Sequence, residues 1–277
     1  MSDWSAWVGR EERRNDVLDP ALAARWLATF DLPAQAGGPM PQGIHFCLCT
    51  PDAATAALGE DGHPRRDDTP DSFFPPVPLP RRMWAASAIE FHAPIAIGAA
   101  IEGTSRIASI TPKSGKSGEM VFVEVAHETL ADGALAVHET QTLVYREAAA
   151  PDAPLQPAAP DDGSFERADW QAHRRLTPSE PLLFRFSALT FNSHRIHYDL
   201  PYAQRIERYR GLVVHGPLMA SLLLQLAGPV RRFAFRAVSP AIAGEPLHLA
   251  LREDGDTLTL GAFVGDGRQV VSAAGSR

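Results

Sequence analysis

The segment GLVVHGPLMASLLLQL, residues 211–226, constrains the fold of this chain more than any other. Pro217 suits the first turn of a helix, and the residues behind it, up to Ala227, are apolar nearly all round the helix axis. Such a helix is enclosed by other structure instead of lying on a surface. A sheet wrapped around this helix meets that requirement. The backbone amide of Gly216 is expected at the positive end of the helix dipole.

The chain divides into two halves of similar size. Residues 148–163, AAAPDAPLQPAAPDDG, can sustain neither a strand nor a helix, so we interpret them as a linker. We expect an N-terminal unit at residues 1–147 and a C-terminal unit at residues 164–277. Each unit is expected to carry one long helix and an antiparallel meander, an internal duplication that gives a double α+β architecture.

Local signals place the individual elements. Asp19-Pro20 has the form of an N-cap followed by Pro at the first helical position, which predicts the main helix of the first half. Ala131-Asp132-Gly133 predicts a hairpin turn. Helical segments are expected within residues 198–228. Strands are expected at residues 83–91, 99–110, 120–130, 134–146, 182–189, 233–237, 246–252, 257–264 and 269–274.

Composition and charge exclude several classes of protein. The net charge of −7 leaves no excess positive field to neutralise phosphates, which argues against a nucleic-acid partner. No apolar run reaches the length of a membrane span, and the N-terminus, MSDWSAWVGREERRND, is too charged for a signal peptide. Cys47 and Cys49 are poorly spaced for a disulfide framework. We therefore expect a soluble cytoplasmic protein with no nucleic-acid or membrane partner.

Two polar side chains in FSALTFNSHRIHYDLPYA, residues 186–203, form a candidate catalytic pair. Asn192 and His197 are five residues apart, where we expect a strand to give way to a short helix, and both can hold a water molecule. The N–H of Gly216 at a helix start suits an oxyanion donor. A water-activating imidazole and an oxyanion donor are what water addition to an enoyl thioester requires.

The same residues carry a family resemblance. Asn192 and His197 before a short helix, with His215-Gly216 before the central helix, resemble the MaoC-like hot-dog hydratases and dehydratases. SALTFN, HRIHYD and VVHGPLMA are similar to the double hot-dog hydroxyacyl-thioester dehydratases of type 2 and the related mesaconyl-CoA (3-methylfumaryl-CoA) and itaconyl-CoA hydratases. PRRMWAASAIEFHAPIAIGAAIE and KSGKSGEMVFVEVAHE resemble their N-terminal hot-dog unit. The resemblance implies a double hot-dog fold whose first unit shapes the acyl pocket without the catalytic pair.

The resemblance also implies a hydro-lyase that acts on acyl thioesters and needs no cofactor and no metal. The wider family has an acidic residue where this chain has Asn192, and a carboxamide cannot accept a proton near neutral pH. We therefore expect His197 to be the sole strong acid/base and Asn192 to hold the water. The Gly216 N–H would bind the thioester oxygen, and the imidazolium of His197 would return the proton to the α-carbon.

Several other residues are candidate substrate contacts with structural alternatives. For His194 and Arg195 the alternative is a loop that satisfies its own backbone, and His215 is expected to fix its loop. Asp199 is expected to cap the helix that follows it. Arg208, in the run RIERYRG, suits either a CoA phosphate or an exposed helix surface.

The first half offers a further set. Arg81, Arg82 and Trp84 suit either a pocket wall with a guanidinium for a substrate carboxylate or a solvated strand start. Cys47 and Cys49, with the neighbouring His45, lack a second ligand pair, so the sequence does not predict a zinc site.

The acyl group and the reaction class keep alternatives. An Arg-lined pocket favours a small dicarboxylic acyl-CoA, either itaconyl-CoA or mesaconyl-C4-CoA converted to citramalyl-CoA. The alternative is a 3-hydroxyacyl-carrier-protein dehydratase of fatty-acid synthesis, which would bind a straight alkyl chain. A thioesterase or an acyl-thioester-binding protein on the same fold is the competing class, because fold does not fix chemistry. Two units within one chain agree with a monomer or a homodimer.

Overall fold

The computed structural model describes residues 4–115 and 118–277, so residues 1–3 and 116–117 of the segments quoted above lie outside it. Ten strands are present in the described residues. They are, as β1 to β10, Glu11–Val17, Arg81–Phe91, Ala100–Gly115, Gly118–Ala131, Ala134–Arg146, Ala172–Leu176, Arg232–Ala237, Leu247–Asp254, Thr257–Val264 and Gln269–Ser276. All of them join one antiparallel sheet in the order β1-β3-β4-β5-β2-β7-β10-β9-β8-β6. The first half supplies β1–β5, and β2 pairs with β7 of the second half.

Four α-helices accompany the sheet in the same residues: α1 at Pro20–Thr29, α2 at Glu180–Leu189, α3 at Leu200–Arg205 and α4 at Gly216–Ala227. The predicted cap of α1 is confirmed, because Asp19 Oδ1 accepts the N–H groups of Ala21 and Leu22 at 2.7 and 2.8 Å. Within the described ranges, every helix is too short or too polar to cross a membrane.

The order of elements repeats in the two halves. Each half runs from a short strand through a helix to four longer strands, so α1 corresponds to α2 and β2–β5 correspond to β7–β10. The second half inserts α3 and α4 between these parts. At the equivalent place in the first half, the described residues contain two short 3-10 helices, Ile44–Cys47 and Thr55–Ala57. The described residues of the first half therefore contain no counterpart of α4.

The apolar helix α4 is enclosed, as the sequence predicts. Leu218, Met219, Leu222 and Leu223 are all buried, and α4 packs against β6, β7, β8 and β9. Burial of each large apolar side chain of this helix stabilises the folded protein by about 1.5–3 kcal/mol. The beginning of α4 is thereby held rigidly against the sheet.

The predicted strand at residues 182–189 is wrong, because these residues form α2. Ser179 Oγ accepts the N–H of Leu182 at 3.3 Å, which caps the helix. Leu183 and Phe186, three residues apart, are buried in the core, whereas Phe184 is 68% exposed. Burial thus follows the helical period instead of the alternation of a strand.

The other predicted strands are present with ends that shift by a few residues, and the hairpin at residues 131–133 joins β4 to β5. The strands β1 and β6 lie at the two edges of the sheet and were not predicted. Strand β1, EERRNDV, is mostly charged, so its sequence carries no apolar alternation. Its ladder to β3 supplies the pairing instead.

Candidate active site

A cavity of about 1440 Å³ is lined by residues of both halves. The second half contributes the segment that follows α2 and the beginning of α4. The first half contributes loop residues between positions 45 and 75 and side chains of β2, β4 and β5. In the described part of the first half, short 3-10 helices stand where the second half has α4, and strands β2, β4 and β5 contribute to the cavity lining.

His197 lies in a 3-10 turn, Arg195–His197, and its buried ring lines the cavity. Its Nδ1 is 2.6 Å from the carbonyl oxygen of Val213, so Nδ1 carries the proton and donates it. Nε2 is left with a lone pair. Burial, followed by the field of His194, lowers the pKa of His197 to about 3, so the imidazole is neutral at physiological pH.

His215 precedes α4 and lies flat against His197. The two rings are 3.5 Å apart with 19° between their planes, and His215 Nε2 is 2.8 Å from Ser187 Oγ. Burial lowers the pKa of His215 well below its ordinary value. The expectation that His215 fixes its loop agrees with these contacts.

Gly216 is the first residue of α4, where backbone N–H groups have no partner inside the helix. A Cβ atom at Gly216 would meet nothing within 4 Å, so open cavity space adjoins this amide. The helix start can therefore receive a thioester oxygen.

Asn192 follows α2, which corrects the expectation that it follows a strand. Its Oδ1 accepts the N–H of His194 at 3.0 Å, a local turn that orients the side chain. Asn192 also lines the cavity. The Nδ2 amide is the donor of this side chain and can donate to a bound water.

A loop of the first half docks on this catalytic segment. Gly62 has φ +87°, and a Cβ there would lie 1.9 Å from the carbonyl oxygen of Ser193, so only glycine permits this approach. Ser193 Oγ donates to the Gly62 carbonyl oxygen at 2.5 Å, and the Arg195 N–H donates to that of Asp61 at 2.9 Å. The docking brings two side chains that the sequence did not single out, Asp61 and His63, to the site.

Asp61 and His63 form a hydrogen-bonded pair. His63 Nδ1 lies 2.9 Å from Asp61 Oδ2, and its ring is 4.1 Å from that of His194. Burial opposes ionisation of Asp61, but the hydrogen bond from His63 lowers the pKa of Asp61 to about 2. Burial lowers the pKa of His63, with Arg82 and Arg66 adding to that effect and Asp61 opposing it.

Four imidazole rings thus form a row across the cavity wall. The centroid separations are 3.5 Å from His215 to His197, 5.6 Å from His197 to His194 and 4.1 Å from His194 to His63. Burial, followed by the field of His63, lowers the pKa of His194 to about 2. One end of the row adjoins the amide of Gly216, and the other end lies in the field of Arg82.

The cluster of Asp61, His63 and His194 has the composition of a metal site, with one ligand atom of each within 4.8 Å of the others. The local charges do not fit a cation. His63 Nδ1 already donates to Asp61, and the positive field of Arg66 and Arg82 that lowers the pKa of His63 also repels a divalent ion.

Arg82 and Trp84 both line the cavity, as the pocket-wall interpretation requires. The guanidinium of Arg82 lies 5.3 Å from the ring of Phe74. Within residues 4–115 and 118–277, no hydrogen bond or ion pair engages the Arg82 guanidinium. Trp84 Nε1 donates to Ser87 Oγ at 2.8 Å.

Three predicted substrate contacts lie outside the cavity lining, and these expectations are corrected. Arg81 is buried and pairs with Glu207 at 2.8 Å, which ties β2 to the loop after α3. Arg195 pairs with Asp199 at 2.7 Å and donates to the Glu60 carbonyl oxygen at 3.0 Å.

The third of these residues, Arg208, donates from Nε to the carbonyl oxygen of Ala153 at 2.8 Å and so fastens the linker. The capping role of Asp199 is confirmed, because its Oδ1 accepts the N–H of Tyr202 at 3.1 Å.

His45 and Glu139 are buried polar residues of the cavity lining, and the buried Ser87 is bonded to Glu139. Ser87 Oγ donates to Glu139 Oε1 at 2.5 Å, and His45 Nε2 lies 3.8 Å from Glu139 Oε2. Burial raises the pKa of Glu139 to about 7 and lowers that of His45 to about 3. Neither ring nitrogen of His45 has a hydrogen-bond partner among the described residues. Cys47 and Cys49 are free thiols.

A buried neutral imidazole beside an open helix-start amide suits an enzyme that adds water to an acyl thioester or removes it. Residues 43–243 match the model of the family described as hydroxyacyl-thioester dehydratase type 2. The chain belongs to this family. The predicted class, a hydro-lyase of the hydratase or dehydratase kind, is thereby confirmed.

Known proteins agree with this assignment. The mesaconyl-C(4)-CoA hydratase of Chloroflexus aurantiacus is 42% identical over 280 residues, which cover 98% of this chain and 97% of the relative. The structure of HtdX from Mycobacterium tuberculosis superposes with a TM-score of 0.68 and 18% identity, covering 96% of this chain and 98% of HtdX.

A second Mycobacterium tuberculosis protein, described as a double hotdog fold, superposes with a TM-score of 0.58 and 13% identity, covering 97% of this chain and 95% of that protein. The predicted double hot-dog fold is confirmed.

Proposed function

We propose that this enzyme hydrates a small dicarboxylic enoyl-CoA, mesaconyl-C4-CoA, to citramalyl-CoA. The observation that carries the proposal is the unpaired guanidinium of Arg82 on the cavity wall beside His63 and His194. The hydratase named for this substrate, with 42% identity over nearly the full length, supports it.

The position of Arg82 suits the shape of this substrate. Mesaconyl-C4-CoA carries its free carboxylate on the β-carbon, so the carboxylate must lie next to the carbon that receives water. Arg82 acts on the pKa values of both His63 and His194, which places its charge at this end of the imidazole row. A guanidinium binds a carboxylate through two parallel hydrogen bonds, which would also fix the β-carbon.

The cavity wall of the first half argues against a long alkyl chain. His127, Glu128 and Gln141 of β4 and β5 line the cavity and are accessible in it. An alkyl tail against these side chains would exclude water from them without offering a hydrogen bond in return. A short polar acyl group leaves this wall to water.

The proposed chemistry uses groups of this chain. The Gly216 N–H binds the thioester oxygen, so that the negative charge of the enolate develops at the positive end of α4. His197 presents Nε2 to the attacking water as a hydrogen-bond acceptor and acid/base. Asn192 donates from Nδ2 to the water oxygen, and His194 with His215 holds the ring of His197 in place.

The test is a hydration assay with mesaconyl-C4-CoA, itaconyl-CoA and crotonyl-CoA, which follows the loss of enoyl absorbance and identifies the product by mass. We expect turnover of mesaconyl-C4-CoA to exceed that of crotonyl-CoA at least tenfold. A preference for crotonyl-CoA or for longer straight-chain substrates would contradict the dicarboxylic assignment. A thiol reagent measures free CoA in parallel, and thiol release without a hydrated product would indicate a thioesterase.

We propose that the protein acts in a reducing compartment, the cytoplasm. The two free thiols, Cys47 and Cys49, support this proposal. The site is assembled from both halves of a single chain, so a monomer is sufficient for activity and a homodimer is compatible with it.

A further inference from the structure

We propose that Asp61 and His63 form a second acid/base dyad of the reaction, contributed by the first half of the chain. The inference rests on the proposed hydratase function and deepens it. It gives the site a second acid/base imidazole besides His197, which is then no longer the sole one.

The hydrogen bonds of the two imidazoles determine which nitrogens face the substrate. His63 Nδ1 is bonded to Asp61 Oδ2 at 2.9 Å, and His197 Nδ1 is bonded to the Val213 carbonyl oxygen at 2.6 Å. Each neutral ring therefore keeps its lone pair on Nε2. Both residues line the same cavity, on either side of His194. The Nε2 of His63 can therefore accept an O–H from a water in the cavity independently of His197.

The two imidazoles differ in what stabilises them once they are protonated. His197 is fully buried, and its Nδ1–H is bonded to a neutral carbonyl group, so a proton on Nε2 adds an uncompensated charge. His63 has the carboxylate of Asp61 behind it, which stabilises an imidazolium in the way that a catalytic triad does. Arg66 and Arg82 oppose a positive charge on His63, but Asp61 offsets them, whereas no carboxylate of the described residues acts on His197. His63 is therefore the better place for the proton.

This arrangement replaces a group that the catalytic segment lacks. Position 192 carries a carboxamide, which cannot take a proton, and Asp199 is engaged with Arg195 outside the cavity. Among the described residues, Asp61 is the carboxylate that is hydrogen-bonded to an imidazole of the imidazole row. The contact exists because Gly62 lets the loop approach Ser193.

The proposed step balances within the site. One O–H bond of the water breaks, its proton passes to Nε2 of His63, and the water oxygen forms the bond to the β-carbon. The π electrons of the double bond move to the thioester oxygen at Gly216 as an enolate. The His63 imidazolium then gives its proton to the α-carbon, which restores both the neutral ring and the thioester carbonyl. Dehydration follows the same steps in reverse.

The experiment compares wild-type protein with Asp61→Asn, His63→Gln and His63→Ala, and uses His92→Gln as the control. His92 is an exposed histidine, 3.7 Å from Glu90 and remote from the cavity lining. Hydration of mesaconyl-C4-CoA is measured across pH, and folding is checked by circular dichroism and thermal unfolding.

We expect His63→Gln to lower kcat about 10²- to 10⁴-fold with little change in KM, whereas His92→Gln stays at the wild-type rate. The neutral ring is the active form in hydration, so activity is lost as pH falls through the pKa of His63. Asp61→Asn removes the group that raises this pKa, so the acid limb of the kcat/KM profile moves to lower pH. Added imidazole should restore part of the His63→Ala rate.

A purely structural pair gives different results. If Asp61 and His63 only hold the loop, the variants lower the unfolding temperature or raise KM, the pH profile of the remaining activity is unchanged, and imidazole restores nothing. That outcome contradicts the proposal that Asp61 and His63 act as an acid/base dyad. It does so even when His63→Gln folds poorly, because the pH profile of Asp61→Asn and the imidazole rescue of His63→Ala test the same proposal. Failure of the proposed function gives a different result, because the wild-type protein would then not hydrate mesaconyl-C4-CoA. In that case the rate of each variant relative to wild type would be measured with crotonyl-CoA.

Discussion

The imidazole rings of His197 and His215 lie nearly parallel at 3.5 Å, a separation that is compatible with two neutral rings and unfavourable for two charged ones. The field of His197 adds to burial in lowering the pKa of His215. Ser187 holds the outer edge of His215, so the stack has little freedom to rotate. The orientation of His197 Nε2 is therefore set before substrate binds.

Replacement of His197 by Gln should lower kcat for hydration about 10²- to 10⁴-fold, because an amide cannot serve as an acid/base at the water. The fold should persist, since the amide can still donate to the Val213 carbonyl oxygen. Steady-state kinetics and circular dichroism measure the two effects. His173→Gln, on strand β6 outside the cavity, is the control. More than a few per cent of the wild-type kcat in His197→Gln would remove His197 from its role.

Replacement by Met should have different effects at Arg82 and at its neighbour Arg81. Arg82→Met should lower kcat/KM for mesaconyl-C4-CoA about 10- to 100-fold, because charge-assisted hydrogen bonds contribute roughly 1.5–3 kcal/mol. Crotonyl-CoA, which lacks the carboxylate, should be hydrated as by wild type. Arg81→Met should instead lower the unfolding temperature, since it removes the ion-pair partner of the largely buried Glu207 carboxylate. An equal loss for both substrates in Arg82→Met would contradict carboxylate binding.

The docking of the first-half loop can be tested at a single glycine. Gly62→Ala places a methyl group against the Ser193 carbonyl oxygen and should lower kcat about 10- to 100-fold by displacing Asp61 and His63. Gly98→Ala is the matched control, because Gly98 has a similar φ of +94° but open space around its Cβ position. Both variants lose stability through backbone strain, so kinetics separates them. Equal kcat values would show that the approach does not matter for catalysis.

Glu139 should make stability fall as pH rises. Burial raises its folded pKa to about 7 from 4.5, so the folded state holds the proton more tightly than the unfolded state does. Below the unfolded pKa, Glu139 is protonated in both states and does not lower the free energy of unfolding. As pH rises to about 7 and above, the loss in the free energy of unfolding grows to on the order of 3 kcal/mol. Chemical denaturation at pH 5 and pH 8 should show this loss in wild type and a smaller one in Glu139→Gln. An identical slope would mean that Glu139 is ionised in the folded protein at both pH values.

The sequence predicts features whose causes are local. The apolar face of α4, the cap at Asp19 and the spacing from Asn192 to His197 are each encoded within a few residues, and the structure has all three. The strand predicted at residues 182–189 failed because short apolar runs have similar composition in strands and helices. The cap at Ser179 was the signal that could have corrected it.

The features of the site that the sequence does not predict depend on contacts between segments that are distant in the chain. Asp61 and His63 lie in a proline-rich stretch that carries no catalytic motif, and only docking against Ser193 brings them to His194. Arg81 and Arg82 are adjacent in sequence, yet Arg81 pairs with Glu207 while Arg82 lines the cavity. Strand alternation does not decide between them, because Arg82, Met83 and Trp84 line the cavity in succession. The position of Glu207, which is distant in the chain, determines the role of Arg81.

Helix α4 has no counterpart among the described residues of the first half, and this difference shows what joining two similar units in one polypeptide makes possible. In a symmetric pair of identical subunits, any deletion is made twice, so losing the helix that begins at the oxyanion donor would destroy both sites. Within one chain the copies can diverge. One copy keeps the helix that begins at Gly216, while the other has in its place a loop that docks on the copy with the helix and helps to line the cavity.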